Sequence, residues 1–234
     1  MQRNFVNAAG LFMFASDVSP DFIDDVLTSH LFYQLAASGN HDPFDDVEGW
    51  RREYLGLMVA FGQEASRTEV HCIVPEGPDS LWSAIKSALN MQVSSGLLRQ
   101  AEAVFTHLQT GDEAALKLLE ENVTQPSTRL TKAPFPAVAT EDEPHPRPVV
   151  LQLVFVDKAP FLTQVFISFK TISSVPTLSI LPLIAQNLVV DNLELNVSTT
   201  EFYADSYEDI KDTILERLGP RRSSLIIELA EVSV

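Results

Sequence analysis

The sequence predicts an α+β fold: a mixed region of helices and a hairpin, then a proline-rich linker, then an antiparallel β-rich region with one helix. Three observations support this. Apolar residues recur at helical spacing before residue 125, strand-forming residues alternate after residue 149, and six of the fourteen prolines fall between Pro126 and Pro148. With 234 residues, 45% of them hydrophobic, the chain can bury a sizeable core.

The composition divides the chain into three regions. Residues 1–125 form an acidic α+β region, and residues 149–234 form a β-rich region that contains a helix at 206–218. Residues 126–148 lie between them and show no hydrophobic periodicity. Because proline fixes its own backbone angle and restricts its neighbour, this segment is predicted to be an extended linker or a surface excursion.

The first region is predicted to contain a strand near the N-terminus and four helices. Ser19 followed by Pro20 is typical of a helix start, and apolar residues then recur every four positions as far as Leu35, before Gly39. The segment Tyr54–Phe61 is apolar on both faces and is interpreted as a central strand, with Val70–Val74 as its hairpin partner. Three more helices are predicted. One has an apolar stripe that consists of Leu81, Trp82, Ile85 and Leu89, and the other two cover Leu97–Leu108 and Asp112–Asn122.

The second region is predicted to be mainly β. Val149–Val156 and Phe161–Phe169 are rich in strand formers, and Asn192–Thr200 alternates between apolar and polar residues, which indicates a half-exposed sheet. A helix over 206–218 ends at Gly219, and SLIIELAEVSV is predicted to be a last strand.

A long segment between Lys158 and Asp191 carries a single charge, at Lys170. Pro176, Pro182 and scattered polar residues argue against a membrane-spanning helix. Because proline cannot complete a central ladder, Val175–Pro182 is predicted to form an edge, a bend or a corner over the core.

The chain is strongly acidic, with a formal net charge of −16. Such a charge repels the phosphate backbone of nucleic acids and anionic membranes, so neither is expected as a partner. Residues 1–125 hold 18 acidic against 7 basic residues. A basic protein would fit this surface, although simple solubility is the preferred explanation, because acidic surfaces are common and favour no particular partner.

Cys72 is the only cysteine. One thiol forms neither an internal disulfide nor a four-cysteine metal site, which predicts a reducing, cytoplasmic environment.

Part of the second region resembles a family of β-rich bacterial proteins that is catalogued as a domain of unknown function. The resemblance covers Val149–Phe202 and departs from the family pattern at Asn192 and Glu194. It is carried by Val175, Pro176, Leu178, Leu181, Pro182, Asp191, Leu193 and Leu195. It implies an intracellular bacterial protein and supplies no catalytic residue.

His71 and Cys72 are neighbours and suggest a thiol–imidazole pair. Adjacent strand residues point to opposite faces, so the two side chains are not expected to act as nucleophile and base. Cys72 is interpreted as a small core residue.

The loop His41–Glu48 gathers possible oxygen ligands for a hard cation. It lacks the spacing of a calcium loop, so an acidic loop that caps the next element is the preferred interpretation. Its chemistry-bearing residues are His41, Asp42, Asp45, Asp46 and Glu48. Asp24 and Asp25 suit the first turns of a helix, His30 and His107 are interpreted as packed histidines, and His145 lies in the linker.

No catalytic, cofactor-binding or metal-ligating residue is assigned, because the chain contains no phosphate-binding glycine loop, G-x-S-x-G or H-E-x-x-H motif. The sequence favours a non-enzymatic structural protein that self-associates into a homo-oligomer or larger assembly through β-edges or apolar strand faces. The alternative is an acidic module, of the immunity or inhibitor type, that binds a basic protein. A second alternative is a pore-forming protein in which the uncharged segment forms a membrane hairpin.

Overall fold

A computed structural model describes residues 2–65, 70–74, 81–89, 92–124, 147–171 and 193–230. These ranges hold eight strands and seven helices. The strands are β1 (Arg3–Asn7), β2 (Gly10–Phe14), β3 (Gln63–Ala65), β4 (Val70–Val74), β5 (Arg147–Lys158), β6 (Phe161–Thr171), β7 (Leu193–Phe202) and β8 (Ile226–Glu228). The helices are α1 (Pro20–Asn40), α2 (Val47–Ala60), α3 (Leu81–Leu89), α4 (Ser95–Thr110), α5 (Glu113–Val123), α6 (Ala204–Leu218) and α7 (Arg221–Leu225).

All eight strands belong to one mixed sheet, with the order β3-β7-β6-β5-β2-β1-β8 and with β4 also paired to β7. The pairs are antiparallel except for β2 and β5, which run parallel from Gly10↔Gln152 to Phe14↔Val156. Strands from both sides of the proline-rich segment therefore share one sheet, a point that the sequence analysis left open.

Helices cover both faces of this sheet. On one face, α3, α4 and α5 pack against apolar residues of β2, β5, β6 and β7 and form the largest hydrophobic cluster. On the other face, α1 and α6 pack against β1, β2 and β5, while α2 packs with α1 over β5 and β6. The molecule is thus a three-layer arrangement that fits the predicted α+β class.

Most predicted elements are confirmed. Ser19 caps α1 by accepting a hydrogen bond from the Phe22 amide at 3.3 Å, and Pro20 is the first helical residue. Asp112 caps α5 in the same way, through the Ala115 amide. The predicted stripe of α3 is buried, and β5, β6 and β7 coincide with the three predicted strands.

The interpretation of Tyr54–Phe61 as a central strand is wrong, because this segment forms the second half of α2. Trp50, Tyr54 and Met58 lie four residues apart and are at most 2% exposed, whereas Val59 is 62% exposed. This four-residue spacing defines one buried helix face. The segment Val70–Val74 is a strand, as predicted, but it pairs with β7.

The prediction of a half-exposed sheet holds for part of β7, where Glu194 and Ser198 are half-buried, but not for other polar strand residues. Gln164, Ser168 and Asn196, on the side expected to face water, are at most 8% exposed. They are buried because helices cover both faces. The described strand faces therefore expose little apolar surface, with Phe161 of β6 as the large exception.

Several sequence interpretations fall outside the described residues. They concern residues 125–146 of the proline-rich segment, the apolar segment 172–192 and the last four residues. Within the described ranges, no helix is long and apolar enough to cross a membrane.

If Tyr54–Phe61 belongs to a helix, substitutions of the neighbours Met58 and Val59 should have different effects on stability. Met58→Ala should lower the free energy of unfolding by about 2–5 kcal/mol, because it removes buried methylene groups and leaves a cavity. Val59→Ala should change it by no more than about 0.5 kcal/mol, because the side chain faces solvent. Urea unfolding of the two variants measures both values, and equal losses would contradict the assignment.

Candidate functional site

The acidic loop between α1 and α2 organises the start of α2. Asp46 accepts a hydrogen bond from the Gly49 amide at 3.0 Å and contacts His41 Nδ1 at 2.7 Å through its other oxygen. Asp42 accepts from the Phe44 amide at 2.9 Å. The capping interpretation of this loop is confirmed. In the described part of the chain, no three His, Cys, Asp or Glu side chains are arranged to hold a metal ion.

His71 and Cys72 lie in β4, opposite Asn196 and Leu195 of β7. Their side chains, and the whole of His145, are outside the described residues. The expectation that His71 and Cys72 point to opposite faces stays a prediction.

His30 belongs to a buried polar layer between the sheet and the helices α1 and α2, and its packed interpretation is confirmed. The members of this layer are His30, Tyr33, Tyr54, Gln63, Gln152 and Gln164, and each is at most 3% exposed except Gln164, which is 7% exposed. The rings of Tyr33, Tyr54 and Phe12 surround the imidazole, with centroids 5.3–6.0 Å away. Most buried polar groups in proteins are hydrogen-bonded, although Gln63 Oε1 and Gln152 Oε1 have no partner among the described residues.

The hydrogen bonds of the layer form a chain with one direction. The Gln63 amide nitrogen lies 3.2 Å from His30 Nε2, and His30 Nδ1 lies 2.5 Å from the Tyr54 hydroxyl. An amide nitrogen only donates, so Nε2 accepts and the proton of the neutral ring sits on Nδ1, which donates to Tyr54. The Tyr54 hydroxyl then donates to Gln164 Oε1 at 3.5 Å, and the Gln164 amide donates to Thr200 Oγ1 at 3.2 Å.

Burial keeps the ionisable members of this layer uncharged. Desolvation lowers the pKa of His30 from 6.5 to about 3, against a smaller opposing effect of the hydrogen bond with Gln63. Desolvation also raises the pKa of Tyr33 and of Tyr54 well above 10. A neutral imidazole enclosed by aromatic rings holds α1 and α2 against the sheet and is closed to a substrate.

An exposed surface lies where β6, β7 and β3 meet the start of α6. Glu201 of β7 is the register partner of both Phe161 in β6 and Glu64 in β3. Tyr203 follows two residues after Glu201, and its hydroxyl donates to Glu201 Oε2 at 3.4 Å. We call Glu64, Phe161, Glu201 and Tyr203 the aromatic–carboxylate array.

Gly62 fixes the position of this array against α6. Its φ of +87° lies in the left-handed region that favours glycine, and its carbonyl accepts from the Tyr203 amide at 2.8 Å. A Cβ added here would lie 2.9 Å from Ser206 Cβ and 3.2 Å from the Tyr203 carbonyl. The tight approach requires glycine and places β3 directly beside the first turn of α6.

The outer side of α6 is acidic. Five carboxylates are exposed at positions that share one helix face: Asp205, Glu208, Asp209, Asp212 and Glu216. The buried residues Tyr207, Ile214 and Leu218 define the opposite side. We call this stripe the acidic face of α6.

The acidic face contains three pairs of like charges four residues apart, each of which destabilises a helix by about 0.2–0.5 kcal/mol. Lys211 contacts Glu208 at 3.7 Å, but it lies closer to Asp25 of α1, at 2.7 Å. Within the described part of the chain, the other four carboxylates of this face form no ion pair. The acidic face of α6 thus retains a concentrated negative charge. The spacing of its carboxylates can be recognised from the sequence alone.

No family model, curated protein or solved structure matches the chain. The resemblance carried by Val175–Leu195 therefore stays a prediction.

Acid conditions should destabilise the protein through His30. The unfolded state binds a proton at this residue below pH 6.5, whereas the folded state resists protonation until about pH 3, so stability falls as the pH decreases through this window. Between pH 7 and pH 5, the wild type should lose roughly 2 kcal/mol more than His30→Gln, which has no titrating ring. Urea unfolding at both pH values measures the difference, and equal losses would contradict a neutral His30.

Because the hydrogen bonds of the buried layer run in one direction, removal of the Tyr54 hydroxyl should destabilise the protein. Tyr54→Phe leaves the His30 Nδ1 proton without an acceptor, so it should lower the free energy of unfolding by about 1–3 kcal/mol. Tyr203→Phe is the matched control, and it should change this free energy by no more than about 0.5 kcal/mol because the hydroxyl is exposed. Thermal or urea unfolding measures both, and a neutral Tyr54→Phe would refute the chain.

Proposed function

We propose that the chain is a non-enzymatic interaction protein that binds a basic protein partner through the acidic face of α6. The observation that carries the proposal is the stripe Asp205, Glu208, Asp209, Asp212 and Glu216 on the outer side of a helix whose other side is buried. The formal net charge of −16 extends the attraction beyond the contact surface.

The arrangement of the stripe supports a binding role over simple solubility. A solubilising surface intersperses both signs of charge, whereas this face places like charges at i, i+4 spacing, where they repel each other. Lysine or arginine side chains of a partner would relieve this repulsion. The same charges would speed the encounter with such a partner and make binding sensitive to salt.

Self-association through β-edges or apolar strand faces, which the sequence favoured first, has less support from the described strands. The described edge strands β3, β4 and β8 contain three, five and three residues, and short edge strands disfavour edge-to-edge pairing. Light scattering over a concentration series separates the two hypotheses. A monomeric mass supports the binding module, and a discrete larger mass supports assembly.

Binding to a basic probe should depend on position as well as on net charge. Asp209→Asn/Asp212→Asn should weaken the binding of an octa-arginine peptide about fivefold, because it removes two charges from the proposed contact. Glu113→Gln/Glu121→Gln on α5 changes the net charge equally and should weaken binding by less than about twofold. Fluorescence anisotropy at low salt measures both affinities.

Two results would overturn the proposal. One is equal weakening by the α5 and α6 variants, which would show attraction by total charge alone. The other is an affinity that does not change between about 50 and 300 mM salt, because an electrostatic contact between exposed groups must weaken as salt screens it.

A further inference from the structure

The aromatic–carboxylate array combines exposed aromatic rings with carboxylates at one end of the sheet. Among the described residues, the exposed large hydrophobic side chains are Val59, Phe161 and Tyr203, and the last two belong to the array, with 45% and 39% exposure. Glu201 lies directly opposite Phe161 on the neighbouring strand, and Glu64 lies opposite Glu201 on the next strand. The array therefore presents two rings and two carboxylates to solvent at one place.

The register fixes how these four side chains are placed. Phe161, Glu201 and Glu64 form one row across three neighbouring strands, and directly opposite residues in such a row have Cβ atoms about 4.5–5.5 Å apart. Tyr203 shares the face of Glu201, as its hydrogen bond to that carboxylate requires. The two rings thus flank one carboxylate, and the second carboxylate lies on the adjacent strand.

The array also contains an electrostatic conflict. Glu64 and Glu201 are directly opposite each other, an arrangement that destabilises a strand pair. Within the described chain, neither carboxylate contacts a lysine or an arginine. The negative charge of Glu201, followed by desolvation and the charge of Glu64, raises the pKa of Tyr203. A positive group placed between the two carboxylates would remove this repulsion.

Arginine has the chemistry that matches this set of groups. Its guanidinium is planar, donates two parallel hydrogen bonds to a carboxylate and stacks on aromatic rings. Lysine is a compact point charge that pairs with carboxylates but does not stack on aromatic rings as a planar guanidinium does. We infer that the array of Glu64, Phe161, Glu201 and Tyr203 receives an arginine side chain of the basic partner; this inference rests on the proposed function.

The experiment compares octa-arginine and octa-lysine peptides by fluorescence anisotropy. The wild type should bind octa-arginine more tightly than octa-lysine, and Tyr203→Leu should weaken octa-arginine binding about threefold while it leaves octa-lysine binding nearly unchanged. Tyr203→Phe keeps the ring and should keep the preference for arginine. Glu201→Gln should weaken the binding of both peptides and reduce the preference.

The variants separate this inference from the proposed function. If Tyr203→Leu and Glu201→Gln bind both peptides as the wild type does, while Asp209→Asn/Asp212→Asn weakens both, the array is not the arginine site and the acidic face of α6 still is a binding surface. If none of these variants changes the affinity, both proposals fail. If Tyr203→Leu weakens both peptides equally, the ring does not select arginine and the inference is overturned.

Melting temperatures distinguish a lost contact from unfolding of a variant. Glu201→Gln removes the repulsion with Glu64, so its melting temperature should equal or exceed that of the wild type. Tyr203 is exposed and its substitution should not lower the melting temperature measurably. A weaker arginine preference in a variant of unchanged melting temperature therefore reports on the contact itself.

Discussion

The parallel pairing of β2 with β5 places the two halves of the chain in one sheet, and the helix layers on both faces follow from it. It joins Gly10–Phe14 to Gln152–Val156 at the centre of the sheet, so the N-terminal hairpin and the C-terminal strands become one layer. Parallel neighbours need a long crossover connection. The described part of this crossover holds five helices and the two short strands β3 and β4.

The path of this crossover explains why both faces are covered. The chain builds α1 and α2 on one face, crosses the far edge of the sheet through β3 and β4, and then builds α3, α4 and α5 on the other face. Polar strand residues such as Gln152, Gln164 and Asn196 are therefore buried together with the apolar ones. The polar residues must pair with one another or with helix side chains, and the chain from Gln63 through His30 and Tyr54 to Gln164 and Thr200 is the result.

Local signals in the sequence predicted most elements. Ser19–Pro20 and Asp112 marked helix starts, and the stripe of α3 and the alternation of β7 marked buried faces, because these patterns depend on neighbours in sequence. The segment Tyr54–Phe61 was mistaken for a strand because it is apolar throughout. The informative signal was the four-residue spacing of Trp50, Tyr54 and Met58, which begins before that segment.

The candidate sites could be predicted only in part. The acidic face of α6 follows from spacing within one helix, so the sequence contains it. The array does not, because the opposition of Glu64 and Glu201 depends on the register of two strands that are far apart in the chain. The buried layer was missed for the same reason, since no local pattern shows that a second layer of helices will cover Gln152 and Gln164.

Mapping where a basic ligand contacts the protein tests whether the end of the sheet and α6 form the binding surface. Amide chemical shifts of the isotope-labelled chain, recorded during titration with an octa-arginine peptide, report contact residue by residue. We expect the largest changes at Phe161 and in residues 62–65 and 200–216, which hold the end of the sheet and the acidic face of α6. Changes spread evenly over all acidic residues, or concentrated on α5, would contradict it.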